Sequence, residues 1–234
     1  MSDKSEDKFK IKSEKKYEND LEKAIPSEQE IYRALAERHG EENQKKLKNG
    51  RVAICGLGGL GSNIAISLAR AGVGQLHLID FDRVDITNLN RQQYFVRQLG
   101  MYKTEALAET LKEIAPYISI TIDTVRLDES NISELLKNDD IICEAFDKAD
   151  AKAMLVNGVL EQFSEKYLIS GSGMAGFHSA NTIQTRKAMK RFYICGDEKS
   201  DIDDGVGLVA SRVAVCAAHE ANMAIRVLID ELEP

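Results

Sequence analysis

The stretch from residue 51 to residue 80, RVAICGLGGLGSNIAISLARAGVGQLHLID, limits the possible folds of this chain most strongly. It contains an apolar run, a glycine-rich turn, a helical pattern and a second apolar run that ends on Asp80. Gly56, Gly58 and Gly61 give the spacing G-x-G-x-x-G, which lets backbone N–H groups and a helix N-terminus approach a phosphate. The stretch therefore predicts a β-α-β unit with a nucleotide at its turn, and Asp80 as an acceptor for ribose hydroxyls.

The same alternation of strand and helix patterns continues through most of the chain. Apolar runs predict strands in ISITIDTV, DDIICEAF and YLISGSG, and helical patterns cover 62–71, 103–115 and 149–166. Such alternation indicates an α/β fold with a doubly wound, mostly parallel sheet of the Rossmann-like type. The segments SANTIQTR and KRFYIC predict an antiparallel C-terminal extension, and GLVASRVAVCAAHEANMAIRVLI predicts a closing helix.

Charge and apolar content divide the chain into a tail and one domain. Residues 1–26 are mostly charged and nearly free of large apolar groups, so we expect a disordered tail. Residues 27–234 show no internal repeat and no low-complexity linker, and we interpret them as a single domain. Ser27 and Glu30 fit a capping box, which predicts that one or two amphipathic helices lead into the first strand.

Composition excludes several classes of function. The 234 residues carry a net charge of −7, and no basic stripe is visible, which disfavours nucleic-acid binding. No apolar run reaches the roughly 18 residues that span a membrane, and the N-terminus lacks the apolar core of a secretory signal. The four cysteines form no CxxC pair, which favours buried reduced thiols over disulfides or zinc. We therefore expect a cytoplasmic protein with no nucleic-acid and no membrane partner.

The residues after Asp80 bear on the kind of nucleotide. On the glycine turn alone, an NAD-dependent oxidoreductase is the first hypothesis. However, Asn88, Arg91 and Lys103 follow closely, and Asp147 comes directly after another strand pattern. A nucleoside triphosphate carries about four negative charges and needs fixed cations, and a carboxylate oxygen suits Mg²⁺. This set therefore favours a triphosphate site at the carboxyl edge of the sheet.

Each of these charged residues also has a purely structural interpretation. The alternatives are an ion pair of Arg91 with Asp82 or Asp85, a helix start at Lys103 beside Glu105, and a helix N-cap at Asp147.

Several motifs taken together resemble those of the ThiF/MoeB/HesA family, relatives of the ubiquitin-activating enzymes. They are GLGGLGS, DFDRVDITNLNRQ, GMYK and the FD after the fourth strand, and the match runs from about residue 51 to residue 147. The stretches LNRQQYF, CEAFDKADAKAML and SGSGMAGFHSANTI look most like the short bacterial ThiF-type adenylyltransferases, which act on the thiamine-pathway sulfur carrier ThiS.

The resemblance implies an ATP-binding adenylyltransferase domain that uses ATP and Mg²⁺. The acceptor would be the terminal Gly-Gly carboxylate of a small ubiquitin-like sulfur carrier. This carboxylate attacks the α-phosphorus and pyrophosphate leaves, and a separate sulfur donor converts the product in thiazole biosynthesis. By motif position, the nucleotide-binding residues would be Gly56, Gly58, Gly59, Gly61, Asp80, Asp82, Asn88, Arg91 and Lys103. Of the charged residues, Arg91, Lys103 and Asp147 would be catalytic, and Asp147 would hold Mg²⁺.

The resemblance also implies a symmetric homodimer in which an N-terminal arginine reaches the partner's ATP. Arg33 and Arg38 are the candidates, and the N-terminal segment does not choose between them. Longer family members bind zinc through two CxxC pairs, which this sequence lacks, so we expect no zinc.

Two further features leave alternatives open. Cys195 is the candidate for a covalent carrier adduct, but its acidic neighbours disfavour a reactive thiolate. The acidic stretch from Asp197 to Asp204 is either a solvated loop or a crossover segment that orders when the carrier tail enters. The four histidines are interpreted as structural. The remaining hypotheses are a molybdopterin-type carrier or another acceptor, an NAD-dependent oxidoreductase, and a catalytically silent scaffold.

Overall fold

A computed structural model describes residues 25–201, 205 and 207–234 of the chain. Residues 1–24 of the proposed tail at residues 1–26, and residues 202–204 of the acidic stretch, lie outside this range. Helix α1 (Glu28–His39) begins at Ser27, which forms the predicted capping box with Glu30. Helix α2 (Glu41–Asn49) follows at once and ends before Gly50. Two helices therefore lead into the first strand.

A seven-stranded sheet forms the centre of the molecule. Its strands are β1 (Arg51–Cys55), β2 (Gln75–Ile79), β3 (Ser119–Asp123), β4 (Ile141–Glu144), β5 (Tyr167–Gly171), β6 (Gln184–Met189) and β7 (Phe192–Gly196). The strand order is β3-β2-β1-β4-β5-β7-β6. Every neighbouring pair is parallel except β6 with β7. The predicted α/β fold with an antiparallel C-terminal extension is confirmed, although β7 itself runs parallel to β5.

Helices cover both faces of this sheet, as the continuous burial along its central strands requires. The remaining α-helices are α3 (Gly59–Arg70), α4 (Lys103–Ile114), α5 (Ile132–Leu135), α6 (Ala149–Gln162) and α7 (Ala210–Leu228). Within β1, Val52 and Ile54 belong to the core beneath α3, α4 and α7, whereas Ala53 and Cys55 belong to the core beneath α5 and α6. This arrangement is a doubly wound sheet.

Two helix bounds differ from the sequence patterns. Helix α3 starts at Gly59 rather than at residue 62, because the last glycines of the motif already belong to its first turn. Helix α6 ends at Gln162, four residues before the predicted end. Among the described residues no helix has both the length and the apolar character needed to cross a membrane.

The connections place a crevice between β1 and β4. The chain passes from β1 outward to β2 and β3, and then returns to β4 on the other side of β1. At such a reversal the loops after the two central strands diverge, and ligands of open α/β sheets bind there. The glycine turn follows β1 and Asp147 follows β4, so both lie at this edge of the sheet.

Candidate nucleotide-binding site

A cavity of about 640 Å³ opens at the carboxyl ends of β1, β2 and β4. It brings together most of the residues that the sequence motifs selected: Gly56, Gly58, Gly59, Asp80, Asp82, Asn88, Arg91, Lys103 and Asp147 all line it. Residues separated by up to about 90 positions in sequence thus surround one space, as expected if they bind one ligand.

The glycine turn is shaped by close backbone contacts. Gly56 has φ of +91°, and a Cβ there would lie 2.9 Å from the carbonyl oxygen of Ala145. A Cβ on Gly61 would lie 1.8 Å from the carbonyl oxygen of Gly56. A Cβ on Gly58 would approach nothing closer than the amide of Gln92 at 3.8 Å. Gly56 and Gly61 therefore allow the turn to form, whereas Gly58 leaves space in the cavity beside the start of α3.

Side chains hold both sides of Leu57 within this turn. The main-chain N–H of Leu57 donates to Asp80 Oδ2 at 2.6 Å, and its carbonyl accepts from the hydroxyl of Tyr94 at 2.8 Å. Asp80 Oδ1 accepts from the N–H of Asp82 at 2.7 Å. Burial, followed by the nearby carboxylates of Asp80 and Asp82, raises the pKa of Tyr94 well above its usual range. The phenol therefore stays a donor, and the turn is held in position without a ligand.

Lys103 is a buried cation at the first position of α4. Its side chain is only 7% exposed, and its Nζ lies 3.0 Å from Asp82 Oδ2. Its main-chain N–H donates to the carbonyl of Asp82 at 2.9 Å. Lys103 thus does begin a helix, as the structural interpretation held, and it also contributes its side chain to the cavity.

Arg91 has only neutral hydrogen-bond acceptors around it in the described part of the chain. Its Nη1 donates to the carbonyl of Thr87 at 3.1 Å and to the side-chain oxygen of Asn90 at 2.9 Å. Its Nε is buried without a partner among the described residues. An ion pair of Arg91 with Asp82 or Asp85 is therefore the wrong interpretation, since Asp82 pairs with Lys103 instead. The positive charge of Arg91 remains available to an anion in the cavity.

Asp147 is exposed at the rim of the cavity on the turn after β4. The interpretation of Asp147 as a helix N-cap is wrong, because Lys148 occupies the N-cap position of α6. The described residues contain no group of three or more His, Cys, Asp and Glu side chains able to hold a metal ion. Asp147 therefore offers a single carboxylate toward whatever fills the cavity.

The remaining candidates lie away from this cavity. Gly61 packs behind the turn and does not line it. Arg33 and Arg38 are exposed on α1, whose Ile31 and Leu35 line a separate cavity with Gly74, directly before β2. The two arginines therefore lie toward the amino edge of the sheet, where they do not reach the cavity of their own chain.

Cys195 is not arranged as a nucleophile. It lies fully buried in β7, and burial first, with the nearby Glu220, raises the pKa of its thiol far above the usual range. After it, Asp197 forms a buried ion pair with Arg212. Burial of Asp197 is outweighed by hydrogen bonds from Ser200, Lys199 and Arg212, which lower the pKa of its carboxyl to about 2. The start of the acidic stretch is thus bonded to the start of α7.

Sequence patterns alone missed four residues that shape the site. They are Tyr94, Gln92, Glu144 and Lys152. For Glu144 the sequence did contain a signal. It is the last residue of the apolar strand IICE, and a buried carboxylate requires hydrogen bonds or an ion pair. Gln92, only 7% exposed, stands next to Arg91 in the NRQQY stretch.

A comparison with protein families matches residues 32–234 to the ThiF family. The chain belongs to the ThiF family. The molybdopterin-synthase adenylyltransferase of Salmonella typhimurium is 31% identical over 199 residues, which cover 82% of this chain and 78% of that protein. The adenylyltransferase and sulfurtransferase MOCS3 of Caenorhabditis briggsae is 39% identical over 141 residues, 60% of this chain. The match spans only 35% of the MOCS3 length. The family predicted from the motifs is confirmed.

Solved structures agree with this ThiF-family fold. The Escherichia coli tRNA N6-threonylcarbamoyladenosine dehydratase TcdA, in complex with ATP, aligns with a TM-score of 0.79. The alignment covers 89% of this chain and 98% of TcdA at 21% sequence identity. At this identity the likeness concerns the fold.

Proposed function

We propose that this chain is an adenylyltransferase that uses ATP to activate the C-terminal Gly-Gly carboxylate of a small ubiquitin-like sulfur carrier, with release of pyrophosphate. The observation that carries this proposal is the cavity in which the glycine turn, Arg91, Lys103 and Asp147 meet. Both relatives are named as adenylyltransferases, which supports the same type of reaction.

The cavity has a polar part and an apolar part that match the parts of ATP. Gly58 and Gly59 lie at the start of α3, where free backbone N–H groups favour phosphate. Asp80 retains lone pairs for ribose hydroxyls, since a carboxylate has about four acceptor sites and two are in use. Val125 and Leu127 contribute apolar surface to the same cavity, which suits adenine.

The reaction needs little beyond these groups. An oxygen of the carrier's terminal carboxylate forms a bond to the α-phosphorus, while the bond from this phosphorus to the oxygen bridging to the β-phosphate breaks. The carboxylate is already ionised, so no base is required. The main barrier is repulsion between two anions, which the charges of Arg91 and Lys103 reduce. A docked carrier tail supplies proximity.

Magnesium fits the donor set of this cavity. Mg²⁺ that accompanies nucleotides is usually held by one or two carboxylates together with phosphate oxygens and water. The exposed carboxylate of Asp147 at the cavity rim is such a donor. When bound, Mg²⁺ would offset charge on the phosphates and on the departing pyrophosphate.

Within this reaction, we propose a ThiS-like carrier of thiazole biosynthesis and a separate sulfur donor, in accord with the sequence resemblance. The molybdopterin-synthase relative favours a molybdopterin-type carrier as the second candidate. A homodimer completes the proposal, because Arg33 and Arg38 are exposed and lie outside the cavity of their own chain. The four free buried cysteines are in keeping with a cytoplasmic location.

Pyrophosphate–ATP exchange with added carriers tests this function. The purified protein, ATP and Mg²⁺ are combined with a ThiS-type carrier, with a molybdopterin-type carrier, or with each carrier lacking its last glycine. We expect exchange only with an intact tail, faster with the ThiS-type carrier, and a carrier whose mass increases by AMP. Absence of exchange with both carriers, together with tight NAD⁺ binding that ATP does not displace, would favour the oxidoreductase.

A further inference from the structure

The geometry points to Lys152 and Glu144 as positioning residues that hold Asp147 in place at the nucleotide cavity. This inference rests on the proposed function, because it assigns a task to the turn that carries Asp147. Neither residue lines the cavity, so the effect is exerted through the main chain.

The two side chains hold the main chain on both sides of Phe146. Glu144 Oε1 accepts from the N–H of Phe146 at 2.7 Å, and Lys152 Nζ donates to the carbonyl of Phe146 at 3.1 Å. The same Lys152 Nζ lies 2.8 Å from Glu144 Oε2. The carbonyl of Phe146 belongs to the peptide group that continues into Asp147. Both peptide groups that flank Phe146 are therefore fixed, and the backbone of Asp147 is fixed with them.

Burial of the ion pair indicates why its role is positional. The Glu144 side chain is fully buried and that of Lys152 is 22% exposed. Ser170 also donates its hydroxyl to Glu144 Oε2, so this oxygen has two partners. A buried ion pair seldom stabilises a fold more than apolar residues of the same volume would. What apolar residues could not supply is a donor and an acceptor aimed at the turn.

The glycine turn on the other side of the crevice is held in the same way. There Asp80 accepts from the N–H of Leu57 and Tyr94 donates to its carbonyl. The two turns touch, since a Cβ on Gly56 would lie 2.9 Å from the carbonyl oxygen of Ala145. In each turn one carboxylate and one donor fix a single residue between strand and helix. The parallel supports a shared task, which is to present groups to one ligand.

The variant Lys152→Met tests the inference, with Lys112→Met as its matched control. Lys112 also donates its Nζ to a main-chain carbonyl six residues away, that of Ile118, which lies toward the opposite edge of the sheet. Binding of a non-hydrolysable ATP analogue is measured by calorimetry with and without Mg²⁺. We expect Lys152→Met to bind the analogue like the wild type without Mg²⁺ and to need at least about tenfold more Mg²⁺ for tight binding. Lys112→Met should match the wild type in both conditions.

Two further variants separate positioning from general damage. Lys152→Arg keeps a charged donor and should recover part of the Mg²⁺ response, whereas a failure to recover any of it contradicts the assignment. Glu144→Gln with Lys152→Met removes both charges of this ion pair, so neither of its members is left as an unpaired charge. The Mg²⁺ response should stay impaired in this double variant, because the carbonyl of Phe146 is still unheld.

The outcomes distinguish this inference from the proposed function. If the wild type catalyses carrier-dependent exchange, and Lys152→Met binds the nucleotide with the Mg²⁺ response of Lys112→Met, then the positioning role is wrong and the function stands. Full recovery in the double variant would show that the unpaired charge of Glu144 caused the defect, and would also overturn the role. If the wild type binds no ATP analogue, the proposed function itself fails.

Discussion

The carboxylate of Asp80 accepts a 2.6 Å hydrogen bond from the main-chain N–H of Leu57. An acid at the end of β2 thereby holds the glycine turn that follows β1. The sequence motif assigns Asp80 to the ribose, so this residue serves the protein's own backbone as well as the proposed ligand. Substitution of Asp80 should consequently affect both stability and nucleotide binding.

We expect Asp80→Ala to lower the free energy of unfolding by about 1–3 kcal/mol, because it leaves buried N–H groups without an acceptor. It should also weaken binding of the ATP analogue, since the ribose loses its acceptor. Denaturant unfolding and calorimetry measure the two effects. Tyr94→Phe is the control, because it removes only the donor to the carbonyl of Leu57. A nucleotide affinity that falls equally in both variants would mean that Asp80 acts on the turn alone.

Arg91→Ala should reduce carrier-dependent pyrophosphate exchange by about 100-fold or more while the protein remains folded. The reason is that the acceptors around Arg91 are neutral, so its charge is available to the phosphates. Arg97→Ala is the matched control, because Arg97 is exposed and pairs with Glu113. Asp147→Ala should likewise abolish exchange. Rates equal to the wild type in both Arg91→Ala and Asp147→Ala would show that the site is assigned wrongly.

Cys195→Ser should retain adenylation of the carrier. Its thiol is fully buried, and burial raises its pKa, so little thiolate forms near neutral pH. The measurement is pyrophosphate exchange together with the intact mass of the protein after reaction with the carrier. A folded Cys195→Ser variant without exchange, or a covalent carrier adduct on the wild type at Cys195, would revive the nucleophilic interpretation.

His77 should make the stability of the fold depend on pH. Its Nδ1 lies 2.9 Å from Asp139 and its Nε2 lies 2.7 Å from Asp123. Burial opposes the charged ring, but hydrogen bonds and charges of Asp139 and Asp123 outweigh it and raise the pKa of His77 above its usual 6.5. The folded state therefore holds this proton more tightly than the unfolded chain does. The resulting stabilisation is complete below the unfolded pKa and is lost as the pH rises through the folded one.

Denaturant unfolding of the wild type and of His77→Gln between about pH 6 and about pH 9 measures this effect. The stability difference between the two proteins should shrink as the pH rises. A difference that stays constant over this range would show that the carboxylates do not favour the protonated ring.

The alternation of apolar strands with helical patterns predicted the fold well, because each strand buried on both faces must be nearly continuous in apolar residues. Helix α3 shows the limit of such patterns. Glycine has a weak helix preference, so the glycines of the motif concealed the first turn of the helix, which starts at Gly59. The parallel pairing of β7 with β5 was equally hidden, since strand direction leaves no mark on composition.

Which residues line the cavity was easier to predict than the ion pairs that these residues and their neighbours form. Glycine spacing and charged residues after strands selected the lining of the cavity, because the carboxyl ends of parallel strands share one edge. The pairing of Lys103 with Asp82 and of Lys152 with Glu144 depends on side-chain directions after folding. No local pattern encodes these directions. The proposed role of Arg33 or Arg38 would need a second chain, and a single sequence does not specify how two chains pack together.

The contact between Gly56 and the carbonyl of Ala145 has a consequence for how this family can diverge. Because the backbones of the two turns are in direct contact, a side chain added at Gly56 would displace both turns. We therefore expect adaptation to a new acceptor on surfaces farther along the cavity wall, such as Met174 and Leu208, which border the same space outside the two turns.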